Sequence, residues 1–310
     1  MARYLMQRIF TMFLVALVVV TATFFLMRAL PGGPFSSERN VPQAILRNLE
    51  RKYNLHKPIH EQYLDYVKGV LVWDLGPSFK HKGLTVNDVI NRGFPISARL
   101  GAISLLISIA IGIPLGILAA LRHNTPGDRT ISGLAILTAA APSFVIAGLL
   151  QYYLAYTLKL FPAATWGGGH WRYLVLPVIT LSSYTLAWIV KLTRSSMLEV
   201  VNQDYIRTAR AKGLPQLVVV YRHMIKNALV PVVASLGPMT ASVLTGSFIV
   251  ESIFNIPGIG REFVQSITNR DYTVTIGLTV FFSLLLAAFT LICDIALAII
   301  DPRVRLEKEG

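Results

Sequence analysis

The chain has one cysteine in 310 residues, Cys293, so it can form no internal disulfide. Acid is scarce: 16 Asp and Glu stand against 29 Lys and Arg. Motifs for self-contained chemistry are missing too. There is no GxxxxGK[ST], hence no phosphate-cradling loop, and no HExxH pair or GxSxG elbow. Gly258-Ile-Gly260 lacks the third glycine of a dinucleotide fingerprint and reads as a turn. The histidines (His56, His60, His81, His123, His170, His223) are scattered over connecting segments. No constellation for catalysis or for metal binding is visible, and nothing calls for a cofactor in this chain.

Charge itself is what the chain most conspicuously lacks over long stretches. Ile9–Met27, Leu100–Leu121, Thr130–Leu158, Tyr173–Val190, Asn227–Val250 and Tyr272–Cys293 carry none. A spanning helix needs about 20 mostly apolar residues to cross a hydrocarbon core roughly 30 Å thick. Lipid offers no water to unpaired backbone groups, so such runs must be helices or a closed barrel. Barrel strands would be about 10 residues long and alternating, and these runs are neither. One run alone could be a buried helix of a soluble protein; six could not. The first run has a basic flank, Arg3 and Arg8, as a signal peptide would. It is too long for a signal core and is followed by Arg28-Ala-Leu-Pro-Gly-Gly, which makes no clear cleavage site, so it reads as an uncleaved helix. The fold class expected is an all-α integral membrane protein with six transmembrane helices.

The net charge of +13 describes topology rather than nucleic-acid binding. Basic residues gather at the N-terminus (Arg3, Arg8), in the second connection (Arg122, Arg129), in the fourth (Lys191, Arg194, Arg207, Arg210, Lys212, Arg222, Lys226) and at the C-terminus (Arg303, Arg305, Lys308). The short third and fifth connections hold only Lys159, Arg172, Arg261 and Arg270. The positive-inside rule places the first set, and both termini, in the cytoplasm. The long connection after the first span then lies outside; long loops translocate whatever their charge. The expected organisation is a first helix over 1–30, an extracytoplasmic cap over 31–93, a five-helix block over 94–301 and a cytoplasmic tail over 302–310.

Within the cap, Ile45, Leu46, Leu49 and Tyr53 share one helical face, and Ile59, Tyr63, Tyr66, Val67 and Val70 share another. Trp73-Asp-Leu-Gly-Pro-Ser-Phe reads as a turn. Inside the spans lie Gly112 with Pro114, Pro142, Pro177, Pro231 and the mid-span pair Gly237-Pro238. Gly237 and Pro238 are the candidate gate or hinge, although membrane helices also tolerate such residues for packing alone. Asp294 is the one acid deep in a predicted span. It suits either a helix-to-helix or interfacial contact, or the carrier acid of an ion-coupled transporter.

The fourth connection, 191–226, is expected to be the largest inner loop. Asp204-Tyr-Ile-Arg-Thr-Ala-Arg-Ala-Lys-Gly213 reads as a short helix, with Asp204 able to cap its start and Gly213 its end. Ile206, Ala209 and Gly213 share one face, and Thr208 and Ala211 are also small. A small-residue face lets another surface approach the helix backbone, while Arg207, Arg210 and Lys212 can meet carboxylates. A docking element and a merely topological basic cluster both fit these residues.

This loop resembles the EAA loop of permease subunits of binding-protein-dependent ABC importers, especially the peptide/nickel group. The matching residues are Thr208-Ala-Arg-Ala-Lys-Gly-Leu and Arg222-His-Met-Ile-Lys-Asn-Ala-Leu-Val-Pro231. Other segments agree in order: Leu30-Pro-Gly-Gly-Pro-Phe, Gly76-Pro-Ser-Phe-Lys, Gly246-Ser-Phe-Ile-Val-Glu-Ser-Ile-Phe, Pro257-Gly-Ile-Gly, Asn269-Arg-Asp-Tyr and Asp301-Pro-Arg-Val-Arg. The likeness covers essentially the whole chain, and the long cap most resembles the B-type permease subunit of oligopeptide importers. Three departures stand out. Arg207 replaces the Glu of the general pattern, Thr208 replaces an Ala, and Trp73 stands where many relatives have Gly.

The resemblance implies a type I ABC importer permease fold in a bacterial cytoplasmic membrane. It implies a homologous second permease subunit as partner and two cytoplasmic ATPase subunits carrying ATP and Mg²⁺. It further implies an extracytoplasmic peptide-binding protein that delivers oligopeptides; a dipeptide, murein peptide or nickel is the alternative cargo. Arg207, Thr208, Ala209, Arg210 and Gly213 would form the ATPase-coupling contact, with Ala209 and Gly213 buried in it.

Overall fold

A computed structural model describes residues 2–29, 47–48, 51 and 53–300. The expected helical face over Ile45, Leu46 and Leu49, the Leu30–Phe35 tag and the tail from Asp301 lie outside these. Among the described residues the regular structure is helical, with one isolated antiparallel bridge between Pro77 and Thr85. The helices are α1 (Ala2–Ala29), α2 (Ile59–Leu71), α3 (Val86–Leu121), α4 (Pro126–Ala140), α5 (Ser143–Leu150), α6 (Trp171–Val201), α7 (Asp204–Ala211), α8 (Gln216–Val218), α9 (Ile225–Leu244), α10 (Phe248–Ile253), α11 (Ile259–Thr268) and α12 (Tyr272–Ile300). Two π-helical stretches follow α5 (Gln151–Thr157) and α8 (Val219–Met224).

Among the described residues, five helical segments are long and apolar enough to span a bilayer, and a sixth span exists if α4 and the helix after it count as one. The charge-free run 130–158 is therefore not one straight helix. It bends by 102° between α4 and Ser143–Thr157. Pro142 has no N–H to continue the ladder and drives Ala141 into an extended conformation (φ −77°, ψ 124°).

The chain divides into two compact units, 1–97 with 257–287 and 98–256 with 288–310. In the first, the predicted stripe of α2 is the one that packs. Tyr63, Tyr66, Val67 and Val70 lie against Val20, Phe24 and Met27 of α1 and Tyr272, Ile276 and Val280 of α12; Ile59, in the first turn, is exposed. Arg28 donates to Gln62 and lies over the Phe24 ring, 4.3 Å from its centroid. The turn after α2 puts Trp73 at φ +60°, the left-handed conformation that glycine adopts most readily. Asn87 holds this turn from both sides: its amide donates to the Trp73 carbonyl (2.7 Å) and accepts from Leu75 N–H (3.1 Å).

Two of the short sequence tags meet in this unit. Asp271, buried at the start of α12, accepts hydrogen bonds from the Ser78 hydroxyl, from the backbone N–H of Phe79 (3.1 Å) and from that of Lys80 (3.3 Å). One carboxylate thus latches the loop Gly76-Pro-Ser-Phe-Lys to Asn269-Arg-Asp-Tyr.

The second unit is packed through glycines. A Cβ on Gly112 would come within 2.9 Å of Ile189 Cγ2, and one on Gly116 within 2.6 Å of Thr193 Cβ and 2.8 Å of the Val190 carbonyl. Helices α3 and α6 therefore approach through a GxxxG stripe. Lipid tails are as apolar as leucine, so close van der Waals contact rather than hydrophobic exclusion holds such helices together. Gly237 plays the same part between α9 and α12, where a Cβ would meet Cys293 Cβ at 2.9 Å and the Phe289 carbonyl at 3.1 Å.

Replacing Asp271 with Ala leaves four donors, the Val274 N–H (3.4 Å) among them, without their carboxylate, at a cost of about 2–3 kcal/mol. We expect a lower unfolding midpoint in detergent and faster proteolysis within 73–85; unchanged cleavage there would remove the latch.

Candidate functional site

The expected inner loop 191–226 is much smaller in the structure. Residues up to Val201 continue α6, and the chain is helical again from Gln216 through α8, a π stretch and α9. Only 202–215 connects them, and α7 is its core. Both flanking segments keep an apolar face that packs within the unit, so the helical ladder has no reason to end at the first basic residue.

An eight-residue helix is marginal on its own. Here α7 is anchored by two side chains. Ile206 is fully buried and Ala209 nearly so, against Ala120, Met197, Val219, Val220, Met224 and Ala228. Burying an isoleucine stabilises by about 2 kcal/mol. Asn227 donates to the Tyr205 hydroxyl (2.9 Å), a further tie to α9. At its start the N-cap is Gln203, without a side-chain cap; Asp204 is the first helical residue, favourable there through the helix dipole. At its end Gly213 N–H donates to the Arg210 carbonyl (2.9 Å) and Leu214 N–H to the Ala209 carbonyl (3.4 Å), a Schellman closure. That closure needs a left-handed residue, and Gly213 has φ +73°.

The expected coupling residues therefore divide into two faces. Arg207, Thr208, Arg210 and Gly213 are exposed, together with Ala211 and Lys212. A Cβ on Gly213 would meet nothing within 4 Å, so this surface is open. Ala209 points the other way and is buried in its own subunit, so it is not available to an outside partner. The i, i+3, i+7 face read from sequence joins a residue turned inward to one turned outward, because the helix ends before Gly213. Apolar groups flank the exposed side: Tyr205, Leu214, Leu217 (73% exposed) and Tyr221 (72%). The face is thus a small-residue platform with a cationic rim and apolar shoulders.

A neighbouring ion pair escaped the sequence reading. Asp128, buried at the start of α4, accepts from Arg194 of α6 through Nε (2.6 Å) and Nη2 (2.8 Å), from Asn124 N–H (2.9 Å) and from the Ser132 hydroxyl (3.2 Å). His123 Nδ1 lies 3.4 Å from the same carboxylate. Such bidentate geometry is the strong form of the guanidinium–carboxylate contact. It ties the 122–129 connection to α6 less than three turns before α7. Residues 66 apart in sequence give no local sign of such pairing.

Gly237 and Pro238, the candidate hinge, lie inside an unbroken α9. Gly237 is committed to the close crossing with α12 described above.

The family described as "Binding-protein-dependent transport system inner membrane component" matches residues 112–306. The family "Binding-prot-dependent transport system membrane comp, N-term" matches residues 1–101. The chain is 46% identical over 310 residues, all of both chains, to the dipeptide transport system permease protein DppB of Bacillus subtilis. It is 42% identical over 305 residues, 98% of this chain and 100% of the other, to the oligopeptide transport system permease protein OppB of Salmonella typhimurium. Among solved structures it resembles a chain of the MetNI methionine ABC transporter in an inward-facing conformation (TM-score 0.57, 16% identity, covering 69% of this chain and 96% of that one). It also resembles a chain of an amino acid ABC transporter (TM-score 0.55, 17% identity, 67% and 92%). The fold is that of a type I ABC importer permease.

Two substitutions test the inner face and the ion pair. Ala209→Glu forces a carboxylate into an apolar contact and is expected to destabilise the isolated subunit, seen as a lower unfolding midpoint before any partner is added. Asp128→Ala removes the partner of the part-exposed Arg194 and of the Asn124 N–H and Ser132 hydroxyl, and should cost about 1–3 kcal/mol; a midpoint within a degree of wild type would rule that out.

Proposed function

Because the chain belongs to the family of binding-protein-dependent transport system inner membrane components, we propose that it is the permease subunit of an ATP-driven peptide importer and forms half of the translocation pathway. The partners in this reading are a homologous second permease, two cytoplasmic ATPases that bind ATP and Mg²⁺, and an extracytoplasmic peptide-binding protein. The membrane is the bacterial cytoplasmic membrane, with both termini inside and the 31–93 cap outside. The distribution of Lys and Arg among the connections supports that orientation. The chain has no phosphate-binding motif, so hydrolysis falls to the ATPases.

The observation that carries the reading is the two-faced seat of α7. Its inner face is fixed in the helices by Ile206 and Ala209, while Arg207, Thr208, Arg210, Ala211 and Gly213 remain open. A helix so held moves with α6 and α9 rather than independently. An ATPase that contacts the open face differently in two states therefore biases the spans between two arrangements. Oligopeptides and dipeptides fit equally as cargo, since relatives at 46% and 42% identity carry one name each.

The test uses the complete importer in proteoliposomes. Gly213→Glu and Ala211→Glu, both on the open face, are expected to cut peptide uptake at least tenfold while ATP hydrolysis continues. Normal uptake with either change would dissociate α7 from coupling.

A further inference from the structure

A cavity of about 350 Å³ opens in the second unit between α6, the start of α5 and the interruption between α9 and α10. Its lining combines hydroxyls with apolar groups and contains no charged side chain. The hydroxyls include Ser143, Thr180, Tyr184, Ser242, Thr245 and Ser247. Thr180 and Thr245 donate to their own helices, at the Leu176 (2.9 Å) and Ser242 (3.1 Å) carbonyls, and Ser247 accepts from Val250 N–H (3.2 Å). Ser143, Tyr184 and Ser242 make no side-chain hydrogen bond among the described residues.

Two features mark this as more than a packing defect. The backbone is broken here within a segment apolar enough to span: α9 ends at Leu244, Gly246 takes φ +83°, and α10 starts at Phe248. Non-helical backbone at membrane depth is tolerated where protein buries it or where it lines a water-filled cavity. Further along α6, Tyr184 (56% exposed) stacks on Trp188 (44% exposed), centroids 6.5 Å apart. The open aromatic face continues one turn beyond the cavity.

We propose that this cavity is a contact station for the backbone amides of the translocated peptide, a reading that rests on peptide being the cargo. Hydroxyls both donate and accept, which matches the alternating N–H and C=O of a peptide chain. The absence of charge matters as much. A fixed charge would favour some cargo side chains and repel others, whereas hydroxyls and aromatic faces address the part every peptide shares. At the low end of ligand-pocket volumes, the cavity suits a short stretch of chain in passing. The aromatic pair supplies a sliding surface toward the inner end of α6.

The complete importer in proteoliposomes, with its binding protein, provides the test. The probes are trialanine and trialanine methylated at its central amide nitrogen. The variant Ser143→Ala/Tyr184→Phe/Ser242→Ala removes the free hydroxyls; Tyr184→Phe alone is read alongside, being too conservative to unfold the subunit. The binding protein is common to all, so its own preference cancels when wild type and variant are compared. Wild type is expected to favour the unmethylated peptide. The triple variant should import that peptide more slowly, by about fivefold for each hydrogen bond lost, and its preference over the methylated peptide should shrink by at least threefold. Tyr184→Phe should show part of both effects. A preference unchanged in both variants, at whatever rate, would overturn the proposal and assign these hydroxyls to packing against the second permease. Wild-type import of neither this tripeptide nor a dipeptide, with another solute carried, would instead remove peptide as the cargo.

Discussion

Hydrocarbon neither hydrates a backbone amide nor drives apolar helices together, and this double constraint governs the second unit. Every amide must be paired internally, so the charge-free runs of this unit become helical. Cohesion must come from contact distance, so glycine rather than leucine marks the crossings. Gly112 and Gly116 bring α3 onto α6, and Gly237 brings α9 onto α12. The same constraint decides where the helices can break. The bend at Ala141-Pro142 and the interruption at 245–247 fall beside α6, where hydroxyls line the cavity between them.

The end of this unit that carries α7 follows a different logic. Here α7 is too short to hold itself, and its stability is borrowed from the unit through Ile206 and Ala209. Packing on one side fixes α7 to α6 and α9, while its other side stays open. The Asp128–Arg194 pair extends this stiffness from α6 to the start of α4, so the two connections on that side are joined. Arg207 takes no part in the seat: it projects outward and pairs only loosely with Asp204, at 3.6 Å.

Much of this was legible beforehand, for identifiable reasons. Absence of charge over 18 or more residues reports burial in lipid directly. The α2 stripe was readable because a 3.6-residue period survives in a helix that packs one face. The short loop around α7 was readable in position but not in extent, since basic residues at 191–194 and 222–226 sit on continuous helix. Which of its small residues face outward was misread for Ala209, because the face assumed a helix reaching Gly213, whereas the Schellman closure ends it at Ala211.

By itself the sequence determined that this is a multi-pass helical membrane protein, and where its long apolar segments lie. These are local or one-dimensional properties: hydropathy over a window, charge per loop, motifs in order. Tertiary structure alone decided that Asp271 latches the cap loop, that Asp128 pairs with Arg194, that Gly237 is a crossing rather than a break, and that Ala209 serves its own subunit. Each of those depends on residues far apart in the chain meeting within a few ångströms, and a one-dimensional pattern holds no record of that distance.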